Sequence, residues 1–338
     1  MASVDIAIPC YQYGRFLRDC VTSVLTQGIA DVRVLIIDNA STDDSVQVAR
    51  ELAKEDRRIG VIARQTNLGP HASFNEGVDW ARSDYFMVLC ADDLLASGSL
   101  LRAVSLMERH ADVVFTYGTD VHCEVVGRTP LLEHDAEGAA WTLTSGVRFI
   151  EDRCRNPEHY IAAGMVLVRT AAQKQAGHYR PQLPHTDDFE MLLRLACLGR
   201  VAYTPAVQGI KRVHGSNRTD TFLAERTRDL IERLAALDSF FTNEGCAIAD
   251  AERLHKLGKR SISERAYWCG VKDLVRGRRS GIELFKLAFR LDPTVALLPP
   301  INYLLRMDQP VANMGRILSD MTRQHRRAPS RSDGRLKG

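Results

Sequence analysis

Four short apolar runs, each followed by a helical stretch, limit what this chain can fold into. They are Val4 to Ile8, Val32 to Ile37, Ile59 to Ala63 and Tyr85 to Leu89. Runs of this length, apolar at nearly every position, read as strands buried on both faces. Between the first two, Phe16, Leu17, Cys20, Val21, Val24 and Leu25 recur at helical spacing up to Gly28. Ser41 and Asp44 resemble a capping box ahead of Val46, Ala49 and Leu52, and His71 to Ala81 reads as the next helix. A helix marked by Leu100, Leu101, Val104 and Met107 then leads to a strand over Val113 to Tyr117. Strand and helix in alternation predict an α/β fold with a mostly parallel sheet covered by helices on both faces.

The missing motifs narrow the choice. A dinucleotide-binding fold needs GxGxxG after its first strand, and here the chain reads Pro9-Cys10-Tyr11-Gln12-Tyr13-Gly14. A phosphate loop with its lysine is also missing. Lys plus Arg is 45 against 42 Asp plus Glu, a net charge of +3, so no global field for nucleic acid exists. The basic excess is local, with Arg323, His325, Arg326, Arg327, Arg331, Arg335 and Lys337 close to the end. The eight cysteines show no CxxC and no paired spacing, which argues against a zinc site or a disulfide framework. The chain enters strand-like sequence directly, without a leader pattern. Its longest apolar candidate, Val295 to Leu305, is broken by Pro299 and Pro300 and falls short of the roughly 20 residues of a spanning helix. These features predict a soluble, cytoplasmic protein.

The fourth strand ends abruptly on Asp92 and Asp93. Ligands of open α/β sheets bind beyond the carboxyl ends of strands, where this pair lies. Adjacent carboxylates repel, so a divalent cation, an arginine or water must offset them. As structure alone the pair is a solvated turn that caps the next helix.

Five segments in order carry a family resemblance: Pro9-Cys10-Tyr11-Gln12, Ile36 to Asp43 with Asp38 at the strand end, Asn67-Leu68-Gly69, Asn75-Glu76-Gly77 and Cys90-Ala91-Asp92-Asp93. Together with the helix ending at Gln27 they resemble the nucleotide-sugar-binding half of a family 2 glycosyltransferase with the GT-A fold. The resemblance runs from about Ser3 to Asn217. It implies a metal-dependent, inverting transfer of a sugar from a nucleotide donor, UDP-linked, to an acceptor hydroxyl. Pro9 and Tyr11 would wall the base pocket and Asp38 would read the uracil. Asn67, Gly69 and Asn75 would lie close to the nucleotide. Asp92 and Asp93 match the end of the family's Asp-x-Asp element and would hold Mg²⁺ or Mn²⁺ on the diphosphate. Cys90 departs from the pattern at the first Asp position.

Further on, His185-Thr186-Asp187-Asp188-Phe189-Glu190 resembles the family's Glu-Asp motif, with Asp187 in place of Glu and Arg194 matching a later arginine. The resemblance assigns the general base to Asp188. The plain alternative is a helix start enriched in acid by its dipole. Lys211 to Asn217 resembles the segment that closes over the diphosphate, with His214 as a further metal ligand and Arg212 or Lys211 on phosphate. Gly164 falls where an acceptor-side strand runs.

Three regions are expected: a GT-A domain over 1–222, a helical region over 223–326 and a basic, disordered tail over 327–338. Helical periodicity marks Thr227 to Phe241, Ala249 to Lys256, Ser261 to Val275 and Ile282 to Leu291. The helix around Leu284 to Leu291 either packs on the catalytic domain or a second subunit, or lies on a membrane surface suited to a lipid-linked acceptor. Glycan acceptors fit the resemblance equally. Two rival readings remain. A nucleotidyltransferase would want a glycine-rich basic loop after strand one, which is missing. A degenerate relative that only binds nucleotide or a partner is supported by Cys90 and Asp187.

Overall fold

The computed structural model describes residues 2–124, 140–215 and 225–306. The expected boundary at 222, the end of the helical region at 326 and the tail over 327–338 lie outside them. Among the described residues the strands are β1 (Ser3–Cys10), β2 (Asp31–Asp38), β3 (Ile59–Ala63), β4 (Tyr85–Val88), β5 (Leu94–Leu95), β6 (Val113–Glu124), β7 (Thr142–Thr144), β8 (Leu167–Arg169) and β9 (Arg200–Val213). The helices are α1 (Gly14–Leu25), α2 (Ser45–Glu55), α3 (Pro70–Trp80), α4 (Ser99–Arg109), α5 (Gly146–Arg155), α6 (Thr170–Ala176), α7 (Asp187–Ala196), α8 (Arg226–Thr242), α9 (Ala251–Val275), α10 (Ser280–Leu291) and α11 (Ile301–Arg306).

All strands join one sheet in the order β3-β2-β1-β4-β8-β6-β9-β5, with β7 alongside β9. The first four are parallel, as the alternation predicts. β8 then enters antiparallel between β4 and β6, so the sheet as a whole is mixed. In the parallel half, Cys10 lies opposite Asp38 and Ala7 opposite Val88, so the chain leaves β1, β2 and β4 at one edge. Buried Asp5 secures that alignment. Its carboxylate accepts from Arg33 Nε and Nη2 (2.8 and 2.6 Å), the N–H groups of Arg82 and Ser83 (2.6 and 2.8 Å) and the Ser83 hydroxyl (2.8 Å). Burial would raise its pKa, but these donors outweigh it and hold the carboxyl below its usual range.

Alternation along the strands sends Ile6, Ile8, Val34 and Ile36 to one face, against Leu17, Val21 and Val24 of α1 and Val104 and Met107 of α4. Ala7, Leu35, Ile37, Phe86 and Val88 share the other core with Phe149, Ile150 and Leu193. That second core continues into Leu230, Leu237, Phe240, Ile262 and Leu284. The C-terminal helices thus share one interior with the sheet.

Several local expectations differ from the structure. β6 runs well past the expected Val113–Tyr117, because its part-exposed second half, Thr119 to Glu124, continues to pair with β9. The stretches Ala249–Lys256 and Ser261–Val275 belong to one helix, α9, across Gly258. A Cβ there would meet Leu237 at 2.7 Å, so this glycine brings α8 and α9 close and is no break. The Ser41–Asp44 capping box is not formed. The Ser41 hydroxyl instead accepts from Gln12 N–H (2.9 Å), and Asp43 accepts from Ser45 N–H (3.0 Å) at the start of α2. β7 pairs antiparallel with β9, Thr142 opposite Tyr203 and Thr144 opposite Val201. No helix among the described residues is long and apolar enough to cross a membrane.

Gly77 on α3 sits against β1, where an added Cβ would lie 2.5 Å from the Ala7 Cβ. Gly77→Ala should therefore destabilise the fold by about 1–2 kcal/mol in urea unfolding, overpacking outweighing the better helix propensity. Ala7→Gly in the same chain should recover most of that loss.

Candidate active site

The loops at the carboxyl edge of the parallel strands open onto a cleft of about 390 Å³. Pro9, Cys10, Tyr11 and Tyr13 line it after β1, Asn39 after β2, and Asn67, Pro70, Ser73 and Phe74 around the start of α3. Gln12 (φ 61°) and Ala40 (φ 64°) hold the left-handed region, which non-glycine residues adopt at a cost. Both strained positions fall in the two loops that frame this end.

Side-chain amides fix the wall behind them. Asn39 Nδ2 donates to Asn67 Oδ1 (2.7 Å), which also accepts from Gly69 N–H (2.9 Å). Asn39 Oδ1 accepts from Leu68 N–H (3.0 Å) and Arg64 Nη1 (3.1 Å), and Arg64 is itself paired with Glu76. Gly69, at φ 82° just before α3, supplies the turn and does not line the cleft. Asp38 is fully buried. Its Oδ2 accepts from Ser41 N–H (2.9 Å), while Oδ1 has no hydrogen-bond partner among the described residues. A buried acceptor left open this way is uncommon and calls for an explanation.

In the middle of the cleft, ligand atoms of Cys90, Asp92 and Asp93 lie within 4.8 Å of one another. Burial, then the neighbouring Asp92, pushes Asp93 up to about 8. The two carboxylates suit a hard divalent cation, and the thiol adds a softer donor beside them. His214 Nε2 meets Asp92 Oδ2 at 3.1 Å, with its ring packed on Phe16 and Tyr13 at 5.0 and 5.4 Å. It holds a carboxylate of the cluster, whereas the third atom close to both aspartates belongs to Cys90.

The same cleft is lined by a second acidic pair, at the start of α7. Asp188 faces the cleft, and burial followed by Asp187 raises it to about 6. Asp187 Oδ2 lies 3.1 Å from His71 Nε2, and that nitrogen is buried without hydrogen-bond geometry to any partner among the described residues. His185, also in the cleft wall, contacts Asp229 Oδ1 at 3.1 Å through Nε2. Asp229 lies buried on α8, where Arg233 Nε donates to the same oxygen (2.9 Å) and Arg233 Nη1 to Pro157 O (2.6 Å). Thr186 Oγ1 reaches Glu232 O at 3.0 Å. α8 therefore holds the segment that presents Asp188.

Asp38, Arg212, Asn75 and His214, like Gly69, do not line the cleft themselves. Arg212 was expected on phosphate, but its buried guanidinium faces Phe16 O (3.5 Å) and Asp19 Oδ2 (3.3 Å), stacked 5.1 Å from the Phe16 ring. Successive strand residues point to opposite sides, so Lys211 receives the cleft and Arg212 the interior. Lys211 Nζ sits 4.9 Å from the Tyr160 ring centroid. Asn75 spends its amide on Tyr179, donating to its carbonyl (3.0 Å) and accepting from its N–H (2.7 Å). It thereby holds Tyr179, which does line the cleft. Gly164 leaves no spare volume, since a Cβ would meet Leu89 at 2.8 Å.

A sequence profile described as glycosyl transferase family 2 matches residues 5–175. The chain belongs to glycosyl transferase family 2. A Haemophilus influenzae protein named as an uncharacterized glycosyltransferase is 29% identical over 127 residues, 38% of this chain. The match spans 50% of that relative's own length. Among solved structures, the Pyrobaculum calidifontis mannosyltransferase PcManGT in complex with GDP-Man and Mn²⁺ aligns with a TM-score of 0.58 at 12% identity, over 95% of this chain and 85% of its own. S. aureus TarS in complex with UDP-GlcNAc aligns with a TM-score of 0.54 at 14% identity, over 87% and 92%. These two likenesses establish the shared GT-A fold.

Within the family 2 match lie both strained loops, the Asn39–Asn67 wall and the acidic pair at Asp92–Asp93. The second acidic pair and its α8 support fall beyond it. His71 and Asp229 escape sequence reading, since the first looks like a helix residue and the second like ordinary acid in a first helical turn. Asp229→Ala would strand Arg233 as a buried cation. It should cost about 3–5 kcal/mol in denaturant unfolding, and a variant that also replaces Arg233 with Met should lose less than the two single losses added together.

Proposed function

We propose that the chain transfers a sugar from a nucleotide-sugar donor, a UDP-sugar, to an acceptor hydroxyl by one inverting displacement. The observation that carries this reading is a single cleft lined by both the Asp92–Asp93 pair and Asp188. At the strand-end side, Pro9 and the 45%-exposed Tyr11 offer faces for a base. Asp38 lies behind the lining residues Cys10 and Asn39, and its buried, unmatched Oδ1 suits the imide N–H of a uracil that reaches past them. Asn67, with Asn39, shapes the wall on which the nucleoside rests. Lys211 makes no ion pair among the described residues, so its ammonium is available to a diphosphate.

Mg²⁺ or Mn²⁺ held by Asp92 and Asp93 would supply Lewis-acid stabilisation of the departing diphosphate. The PcManGT complex with Mn²⁺ and the TarS complex with UDP-GlcNAc support such a ligand set by analogy of fold. Asp188 takes the proton from the acceptor hydroxyl as it attacks the anomeric carbon. A carboxylate raised to about 6 is ionised at neutral pH yet more basic than an ordinary one, which suits that task. Asp187 contributes to the upward shift, and His71 borders it from α3.

The test incubates the full chain with a panel of nucleotide sugars and Mn²⁺ and follows release of nucleoside diphosphate, with and without simple glycan acceptors. Release from one UDP-sugar is expected, abolished by chelation and by Asp92→Ala. Asp188→Asn should keep UDP binding and lower turnover by about 10²–10⁴-fold. Turnover should fall as pH drops through about 6, where Asp188 takes up a proton and can no longer accept one. Failure to bind UDP with or without Mn²⁺ would overturn the reading.

A further inference from the structure

The far end of the helical region displays apolar side chains that the fold leaves in water. Leu297 is 84% exposed, Leu298 75% and Ile301 60%. The stretch is anchored on both sides. Val295 and Leu304 are buried, Trp268 Nε1 donates to Pro300 O (3.1 Å), and Arg265 Nη1 donates to the Tyr303 hydroxyl (2.8 Å). Pro299 and Pro300 keep the chain from continuing as helix between Leu298 and α11. The three aliphatic side chains therefore project from a held turn. On α10, Leu284, Leu287 and Ala288 pack inward while Ile282 and Phe289 stay exposed one heptad apart, with Phe285 stacked on Phe289 at 5.5 Å.

Cations surround this apolar surface in the sequence. From Lys272 to Ile301 there are six, Lys272, Arg276, Arg278, Arg279, Lys286 and Arg290, against Asp273, Glu283 and Asp292. All six are exposed. The 32 residues after Arg306 add seven Lys and Arg against three Asp. We propose that the Pro293–Ile301 turn and the exposed face of α10 form a docking surface for an anionic lipid membrane. Apolar side chains enter the interface while the surrounding cations meet lipid phosphates, two weak attractions that act together. A second copy of this chain is the poorer occupant, because it would bring the same positive rim against its own likeness. The docking stands apart from the transfer chemistry and does not depend on it.

The test uses the full chain in co-sedimentation with vesicles of phosphatidylcholine alone and of phosphatidylcholine with one-third phosphatidylglycerol. Binding is expected to the anionic vesicles only. It should weaken as salt rises from 0.1 to 1 M and the screening length falls from about 10 to about 3 Å. The double variant Leu297→Glu/Leu298→Glu should lose about tenfold or more in partitioning, with its melting temperature unchanged because both positions face water. Absence of sedimentation with either vesicle would overturn the proposal. So would equal sedimentation of the parent and the double variant, equal binding to neutral vesicles, or a solution dimer that the double variant dissolves.

Discussion

Parallel pairing of β1 with both β2 and β4 is the constraint on which the molecule depends. It makes three successive loops leave the sheet from one edge, so residues distant in sequence meet there without a dedicated contact. Asp5 is what fixes the pairing at the other end. Its carboxylate is satisfied by donors from β2 and from the turn into β4, and a slip of either strand would leave a charged group buried with too few partners. The placement of the cleft is thus a consequence of strand register, and the strain at Gln12 and Ala40 is tolerated because the strands beneath them cannot shift.

The cleft gathers two pairs of acidic side chains. Asp93 and Asp188 are both raised, each by burial first and by an acidic neighbour second. Their surroundings differ. Asp93 accepts from the Arg212 backbone N–H (3.1 Å) and has Lys211 nearby, whereas Arg233 and His185 oppose the shift of Asp188. The first pair is therefore arranged to welcome added positive charge. Asp188, at about 6, needs none to remain ionised at neutral pH, and can exchange a proton. One chemical motif, adjacent aspartates at the end of an element, takes on two characters according to what packs behind it.

Legibility in the sequence followed locality. Pro9, Tyr11, Asn67 and Asp92 were legible through the family resemblance, whose segments keep their order along the chain, and all four line the cleft. Their convergence follows from sheet rules. Arg212 misled because adjacent Lys211 and Arg212 look equivalent as charges until strand alternation separates them. Asn75 misled because its partners, the N–H and carbonyl of Tyr179, lie far along the chain and on the backbone, which carries no residue signature. The second half of β6 was hidden because its residues are part-exposed. His71 beside Asp187 and Asp229 beside His185 are tertiary pairs joined only by packing, and no spacing along the chain announces them.

The hold of α8 on the segment before Asp188 has a consequence for how the protein is made. Every strand of the parallel half, the Asn39–Asn67 wall and the Asp92–Asp93 pair lie within the first third of the chain, so a growing polypeptide can assemble that side early. The segment before Asp188 is different. His185 and Thr186 receive their partners from Asp229 and Glu232, and the core behind them closes only when Phe240, Ile262 and Leu284 arrive. During synthesis the segment that presents Asp188 is thus completed last, later even than the Arg212 and His214 contacts that hold Asp93 and Asp92.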